Sequence, residues 1–258
     1  MEHNNGLAPS SISVHLSAVR SLNVMAGLPE PVVRTPQVKL ALKAVTAANP
    51  PPKKKCPITY LLLKKMHYML KNVQDSHMWR ALFSLAFFAG LRCVEYVGQN
   101  ESSATLVNQV QFSHHPVKVM HFKVNQTKTT VHGYTIPLGC SGTQVCALCD
   151  MVEYIKVRYT NKQMGTEDKL FVYSNGVTVN KNQVNAMVKM LVKHMGLDPN
   201  DYSAHSIRAG AATTAAENGF AEWEIMRIGG WRSATYRQYI RNLDNHVAGF
   251  SARLAASQ

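Results

Sequence analysis

The residues best suited to chemistry lie in the stretch Ser203–Arg241, SAHSIRAGAATTAAENGFAEWEIMRIGGWRSATYRQYIR. His205 and Arg208 stand three positions apart, so one turn of helix presents both to the same anion. A guanidinium fork beside an imidazole is a phosphate clamp in outline. Beyond it come Trp231, in a Gly-Gly-Trp turn, and two phenols, Tyr236 and Tyr239. A phosphodiester repels nucleophiles and has a basic leaving group. Cleaving it without metal therefore needs cations on the non-bridging oxygens, an in-line nucleophile and an acid for the departing oxygen. Taken alone, a His-x-x-Arg pair is as readily a salt-bridged surface pair.

The order of these residues carries more than any one of them. His205 and Arg208, then Gly230-Trp231, then Tyr239 eight residues past the Trp, resemble the C-terminal signature of tyrosine recombinases. That family also has an Arg in a context like G-L-R-x-x-E, and here Gly90-Leu91-Arg92-Cys93-Val94-Glu95 follows an apolar helix. It has a Lys in a β-hairpin, matched by Lys128 in Val124-Asn125-Gln126-Thr127-Lys128-Thr129-Thr130, between two strand-like runs. The wording AFFAGLR, QTKTT, YSAHSIRAGAATTAAENG and GGWRSATYRQYI is most similar to recombinases of eukaryotic DIRS-type and Ngaro-type retroelements. The resemblance runs from about Ser10 to about Arg241, nearly the whole chain.

That resemblance implies roles. Arg92 and Arg208 clamp the phosphate, and His205 and Trp231 donate N–H groups to it, with the His able to take the tyrosine proton. Lys128 protonates the departing 5′ oxygen, and Tyr239 forms a 3′-phosphotyrosine whose bond energy allows resealing without ATP. No metal and no cofactor is called for. Tyr236 is the rival nucleophile, since on a helix the two phenols sit about 60° apart. Spacing from Trp231 favours Tyr239 and leaves Tyr236 to packing.

Composition points to the same class of partner. Lys plus Arg number 28 against 15 Asp plus Glu, a net charge of +13 and a pI near 9.6, which favours a polyanion such as double-stranded DNA. The longest apolar run, Ala81 to Leu91, falls short of the ~20 residues a membrane span needs, so no membrane partner is expected. The first residues, MEHNNGLAPSS, lack the charged and apolar regions of a secretory signal. Five cysteines, an odd number, indicate free thiols in a reducing compartment, and with the resemblance a nuclear location. Cys146-Ala-Leu-Cys149 has zinc-ligand spacing, but no second pair completes a tetrahedral set, so it reads as the buried start of a helix with no metal bound.

The elements that must position these residues follow from periodicity. Helices are expected over Ser10–Ala26, with Ser caps, and Val38–Ala48, followed by the stiff basic linker Asn49–Lys55. Residues 1–56 thus read as a partial helical core-binding-like domain and linker, shorter than the four or so helices the family implies, and 57–258 as the catalytic domain. Arg20, Lys53, Lys54 and Lys55 are the candidate DNA-binding cations outside the site. Helices are expected over Thr59–Asn72, His77–Gly90, Cys146–Tyr159, Asn180–Met195 (with an Asn180/Gln183 capping box), from His205 to Gly219, and Glu222–Ile228. Strands are expected over Val107–Phe112, Val117–Val124, Tyr134–Leu138 and Leu170–Tyr173. Trp223, Met226 and Ile228 are assigned to core, and 242–258 to an apolar helix that docks on a neighbour. The fold class is mainly α with a small antiparallel β-sheet. The function read from it is a site-specific recombinase or integrase working as a homo-tetramer on DNA. The rivals are a non-catalytic DNA-binding protein of the same fold and a topoisomerase of type IB, which shares the chemistry.

Overall fold

A computed structural model of the 258-residue chain describes residues 7–29, 35–49, 53–113, 118–125, 133–161, 164–231 and 233–241. Lys128 and the expected tail helix over 242–258 lie outside the described residues. The chain divides into two compact units, Met1–Lys54 and Lys55–Gln258.

The first unit holds α1 (Pro9–Met25) and α2 (Pro36–Ala48), each opening on a proline whose missing N–H costs nothing in the first turn. Thr35 caps α2, its Oγ1 accepting from Val38 N at 3.4 Å. The serines expected to cap α1 do not. Ser13, Ser17 and Ser21 instead turn their hydroxyls onto the carbonyls four residues back, and Ala8 occupies the cap position. No described residue of either helix is buried.

The second unit is built on α4 (Ser76–Phe88). Its apolar residues occur on every face, so it is enclosed, with Met78, Trp79 and Ala81 to Phe87 all buried. Against it pack α3 (Tyr60–Leu70), α6 (Ala147–Asn161) and α8 (His205–Glu217), while α5 (Cys93–Val97), α7 (Lys181–His194) and α9 (Glu222–Ile228) complete the helices described. The sheet has three antiparallel strands in sequence order, β1 (Val110–Ser113), β2 (Val119–Val124) and β3 (Tyr134–Gly139). Phe122 faces Val110 and Ile136, and Val124 faces Tyr134. Alternation turns Met120, Phe122, Val124, Ile136 and Leu138 inward.

Two expected strands differ. Residues 107–109 form a 3-10 turn before β1, because the Gln109 amide accepts from Leu106 N and donates to Lys123 O, closing the backbone locally. Leu170–Tyr173 is no strand; among the described residues it holds one isolated bridge, Val172 to Thr178, beside that of Lys169 to Leu106. The Leu170 carbonyl is taken by Tyr154 and Arg158 side chains, at 2.8 and 2.6 Å, so it does not join a ladder. The capping box on α7 is present in both directions, Asn180 Oδ1 accepting from Gln183 N and Gln183 Oε1 from Asn180 N.

The stripe of small residues on α8 has a specific use. A Cβ on Gly210 would lie 1.7 Å from the Ile58 carbonyl oxygen, so glycine alone lets the 55–58 segment press onto the helix. That segment is fastened by Ile58 N to Ser206 O and Cys56 N to Asp201 O, both 2.8 Å. Lys55 and Cys56, placed by sequence in the linker, therefore pack with the second unit.

Between α3, α4 and α6 the core encloses a polar trio. Arg80 donates to Asp150 at 3.0 Å, whereas His67 Nε2 lies 3.7 Å from Asp150, beyond a hydrogen bond. Burial, then the charge of Arg80, lowers His67 to about 4, so the proximity to Asp150 loses and the imidazole is neutral. Burial also raises the Asp150 carboxyl, against the pull of Arg80. An imidazole depressed in the fold binds its proton first in the unfolded chain, so stability falls as pH drops from ~6.5 toward 4. The loss reaches on the order of 3 kcal/mol, offset in part by Asp150, which takes up its proton first in the folded chain. Urea denaturation across this range should show a shallower acid slope for His67→Met, and an unchanged slope would mean the imidazole is already charged in the fold.

Candidate active site

Arg208, in the second turn of α8, is fully buried. Its Nη1 donates to the Gly90 carbonyl, its Nη2 to the Gly229 carbonyl at 3.0 Å, and Nη1 lies 3.8 Å from Glu95 Oε2. Two turns thus close on one guanidinium: the turn after α4 and the turn after α9. Both depend on glycine. Gly90 and Gly230 have φ of +55° and +62°, a Cβ on Gly229 would meet the Trp231 ring at 2.0 Å, and one on Gly90 would meet Gly229 Cα at 3.1 Å.

Glu95, on α5 and fully buried, holds the second guanidinium. Its Oε1 accepts from Arg92 Nη1 at 2.8 Å and its Oε2 from Arg92 N at 2.7 Å, the latter closing the N-terminus of α5. Arg92 keeps one third of its side chain exposed. Burial alone would lower it, but the hydrogen bond and charge of Glu95 more than offset this and hold Arg92 above its ordinary value. Arg208 is pulled the other way, lowered by burial and by the like charge of Arg92 despite Glu95. One carboxylate therefore serves two cations, an excess of positive charge ready for an anion.

Aromatic groups roof the guanidinium. Trp231 lies with its ring 4.0 Å from the Arg208 carbon and Tyr239 with its ring 5.3 Å away, the two rings 5.4 Å apart. The His205 ring is 5.0 Å from that of Tyr239. Although His205 lies at the surface, partial desolvation, then the charges of Arg208, Arg92, Arg241 and Lys181, lower its pKa and favour the neutral ring. The structure thus brings together Arg92, His205, Arg208, Trp231 and Tyr239.

Where the two tyrosines sit is a matter of local backbone. The segment expected to be α-helical is a 3-10 turn, Ala234–Gln238, with Tyr239 just past it. Tyr236 is buried in a small cluster with Ala212, Ala215, Ile225 and Trp231, and its hydroxyl reaches Glu222 at 2.5 Å, away from Arg208. Tyr239 is held at the guanidinium by its backbone, since the α8 residue Thr213 donates to Tyr239 O and accepts from Arg241 N. Trp223, assigned by sequence to core, is 66% exposed; on α9 it is Ile225 that turns inward, with Met226 and Ile228 half-buried.

Three neighbours escaped the sequence reading. Tyr134, at the start of β3, abuts the Gly230 turn, and burial, then Glu95, push its hydroxyl up to about 12. Arg241 and Lys181 add positive charge toward His205. None sits at a spacing that marks it, because each arrives from a different element. Among the expected DNA-binding cations, Arg20, Lys53 and Lys54 belong to the first unit, with Lys53 and Lys54 exposed; Lys55 is exposed and donates to the Asn200 carbonyl. Cys146 and Cys149 are joined by Cys140, a third thiol the spacing did not predict.

Removing the carboxylate of Glu95 strands two cations, one wholly buried. Glu95→Ala should lose about 3–5 kcal/mol in chemical denaturation, and a loss under ~1 kcal/mol, as for an exposed pair, would show that the pair is not structural.

The architecture can be compared with known proteins. Solved structures of similar fold include XerA recombinase (TM-score 0.54, 18% identity, 95% of this chain and 76% of that one). Tn1549 transposon integrase, residues 82–397, in complex with circular intermediate DNA gives TM-score 0.58 at 17% identity, over 95% and 80%. A lambda integrase dimer bound to a COC′ core site gives 0.51 at 14%, over 93% and 66%. At these identities the likeness is one of fold. No curated protein matches the sequence. The family model described as the phage integrase family matches residues 60–246, a span that includes every residue gathered around Arg208 and most of the chain. The chain therefore belongs to the phage integrase family, the tyrosine recombinases.

Proposed function

We propose that this enzyme cuts and rejoins DNA at specific sites through a 3′-phosphotyrosine on Tyr239, with no metal in the strand-transfer step and no ATP. The observation that carries the reading is a set of uncommitted donors at one point. Arg208 Nε and Trp231 Nε1 are buried and have no hydrogen-bond partner in the free protein, beside the partly exposed Arg92. Buried donors are almost always paired, so donors left open around excess positive charge are suited to an incoming phosphate.

The proposed steps combine this geometry with the roles that the sequence resemblance implies. A backbone phosphate enters between Arg92 and Arg208, and the Tyr239 ring, which roofs Arg208, shifts to admit it. His205, held neutral, accepts the phenol proton as the oxygen attacks phosphorus. Arg92, Arg208 and the Trp231 N–H stabilise the charge building on the non-bridging oxygens. Lys128, in the sequence between β2 and β3, protonates the departing 5′ oxygen, a role that rests on the resemblance alone. A second 5′ hydroxyl then attacks the phosphotyrosine and restores the phosphodiester, so bonds broken and formed balance. Supporting the DNA assignment are the charge of +13 and the DNA in the complexes of Tn1549 and lambda integrases. The remaining finer points rest on the sequence resemblance: the DIRS/Ngaro-type retroelement origin, assembly of four copies on two duplexes, residues 1–56 as a partial DNA-binding domain, and a nuclear location.

Trapping on a nicked duplex tests the nucleophile. Tyr236→Phe should retain the covalent adduct, whereas Tyr239→Phe should bind DNA as the parent does and form none. Arg208→Lys, which keeps the buried charge but not the fork, should slow adduct formation ~100-fold. An adduct through Tyr236 would overturn the assignment, and no adduct with the parent protein would favour a non-catalytic DNA-binding role. Relaxation of supercoils without exchange between two sites would favour the topoisomerase.

DNA affinity should also fall by orders of magnitude between ~50 and ~200 mM salt, because phosphate contacts release counterions. Filter binding across that range checks this, and a flat response would remove the electrostatic argument.

A further inference from the structure

Cys140 follows β3 directly, Cys146 precedes α6, and Cys149 lies in the first turn of that helix. Chain folding gathers them. Cys140 Sγ lies 3.7 Å from Cys149 Sγ and 3.8 Å from Cys146 Sγ, and all three sulfurs fall within 4.8 Å of one another. A tetrahedral ion with metal–sulfur bonds of ~2.3 Å places its thiolates ~3.8 Å apart, so two of the three edges already have the length a bound ion requires. A disulfide would need ~2.05 Å, and three thiols cannot all pair with one another.

Backbone donors suit a thiolate at Cys146. The N–H groups of Ser141 and Cys149 both point to Cys146 Sγ, at 3.4 and 3.5 Å. The 140–146 connection is folded by its own hydroxyls, Ser141 Oγ and Thr143 Oγ1 both donating to the Val145 carbonyl at 2.9 and 3.0 Å, so the ligands stand in place before an ion arrives. Cys140 and Cys149 are exposed, which gives an entry path. Among the described residues no fourth His, Cys, Asp or Glu joins the set.

We propose that Cys140, Cys146 and Cys149 form a three-thiolate site for a borderline-soft divalent ion of the Zn²⁺ class, with solvent in the fourth position. Sulfur donors exclude Mg²⁺ and Ca²⁺. On binding, the three thiols release their protons to solvent and the ion takes three sulfur lone pairs, with no change of oxidation state. The bound ion joins the end of β3 to the start of α6. It is independent of the strand-transfer site, so its presence or absence leaves the reading of that site unchanged.

Full-length protein purified under reducing conditions, loaded with Zn²⁺ and dialysed, should retain about one zinc per chain. Co²⁺ in place of zinc should give the near-ultraviolet thiolate-to-cobalt absorption. The double variant Cys140→Ser/Cys149→Ser should lose both signals, and Cys56→Ser should keep them. Both substituted cysteines are exposed, so the metal-free variant should melt with the metal-free parent, while zinc raises the melting temperature of the parent alone. Zinc content below about a tenth per chain, equal content in the double variant, or a Cys140–Cys149 disulfide persisting under reducing conditions would each overturn the site.

Discussion

The second unit depends on one buried charge. Arg208 brings a guanidinium with no exposed surface into the place where α8, the turn after α4 and the turn after α9 meet. An isolated ion there would cost several kcal/mol, so the fold must supply partners. It supplies two backbone carbonyls, one shared carboxylate and an indole face. Hydrogen bonds to a charged group contribute about 1.5–3 kcal/mol each, enough to draw in the carbonyls of Gly90 and Gly229 and set the spacing of the two turns. The glycines are consequences of that requirement, since a side chain at either turn would hold the backbones apart.

This solution stops short of neutrality, and the shortfall is useful. Glu95 is divided between Arg92 and Arg208, and buried donors on Arg208 and Trp231 remain open. A site complete in itself would have no affinity for a further anion. The Tyr239 ring covers the guanidinium in the meantime, holding the proposed nucleophile against the cation that would clamp its target. Stability and the proposed chemistry thus draw on the same arginine.

α8 serves as the common mount. His205 lies at its first residue, Arg208 at its fourth, Gly210 is pressed against Ile58, and Thr213 captures the backbone of Tyr239 and Arg241. Its small residues make it a poor source of apolar burial but let other backbones approach within contact distance. One rigid helix therefore fixes the imidazole, the guanidinium and the Tyr239 backbone relative to one another.

Periodicity by itself determined the longer helices and the three-stranded sheet, though not the five-residue α5, because hydrophobic spacing of 3.6 and 2 reflects which face each element must bury. The all-apolar character of α4 marked it as the centre, and the ordered Arg92, His205, Arg208, Trp231 and Tyr239 are the residues that meet at the site. Tertiary structure decided the rest. Spacing from Trp231 already favoured Tyr239 over Tyr236, but the backbone that separates them was not legible, because it comes from a 3-10 turn and from Thr213, more than twenty residues away in sequence. Trp223 is apolar yet exposed, since a helix of seven residues has room to bury only a narrow face and Ile225 takes it. Tyr134, at the start of β3, and Cys140, just past its end, reach their clusters because sheet register and helix packing set the neighbours of that strand. Contacts between elements distant in sequence carry no local pattern, so only the folded chain could bring a third sulfur to a pair or a second cation to Glu95.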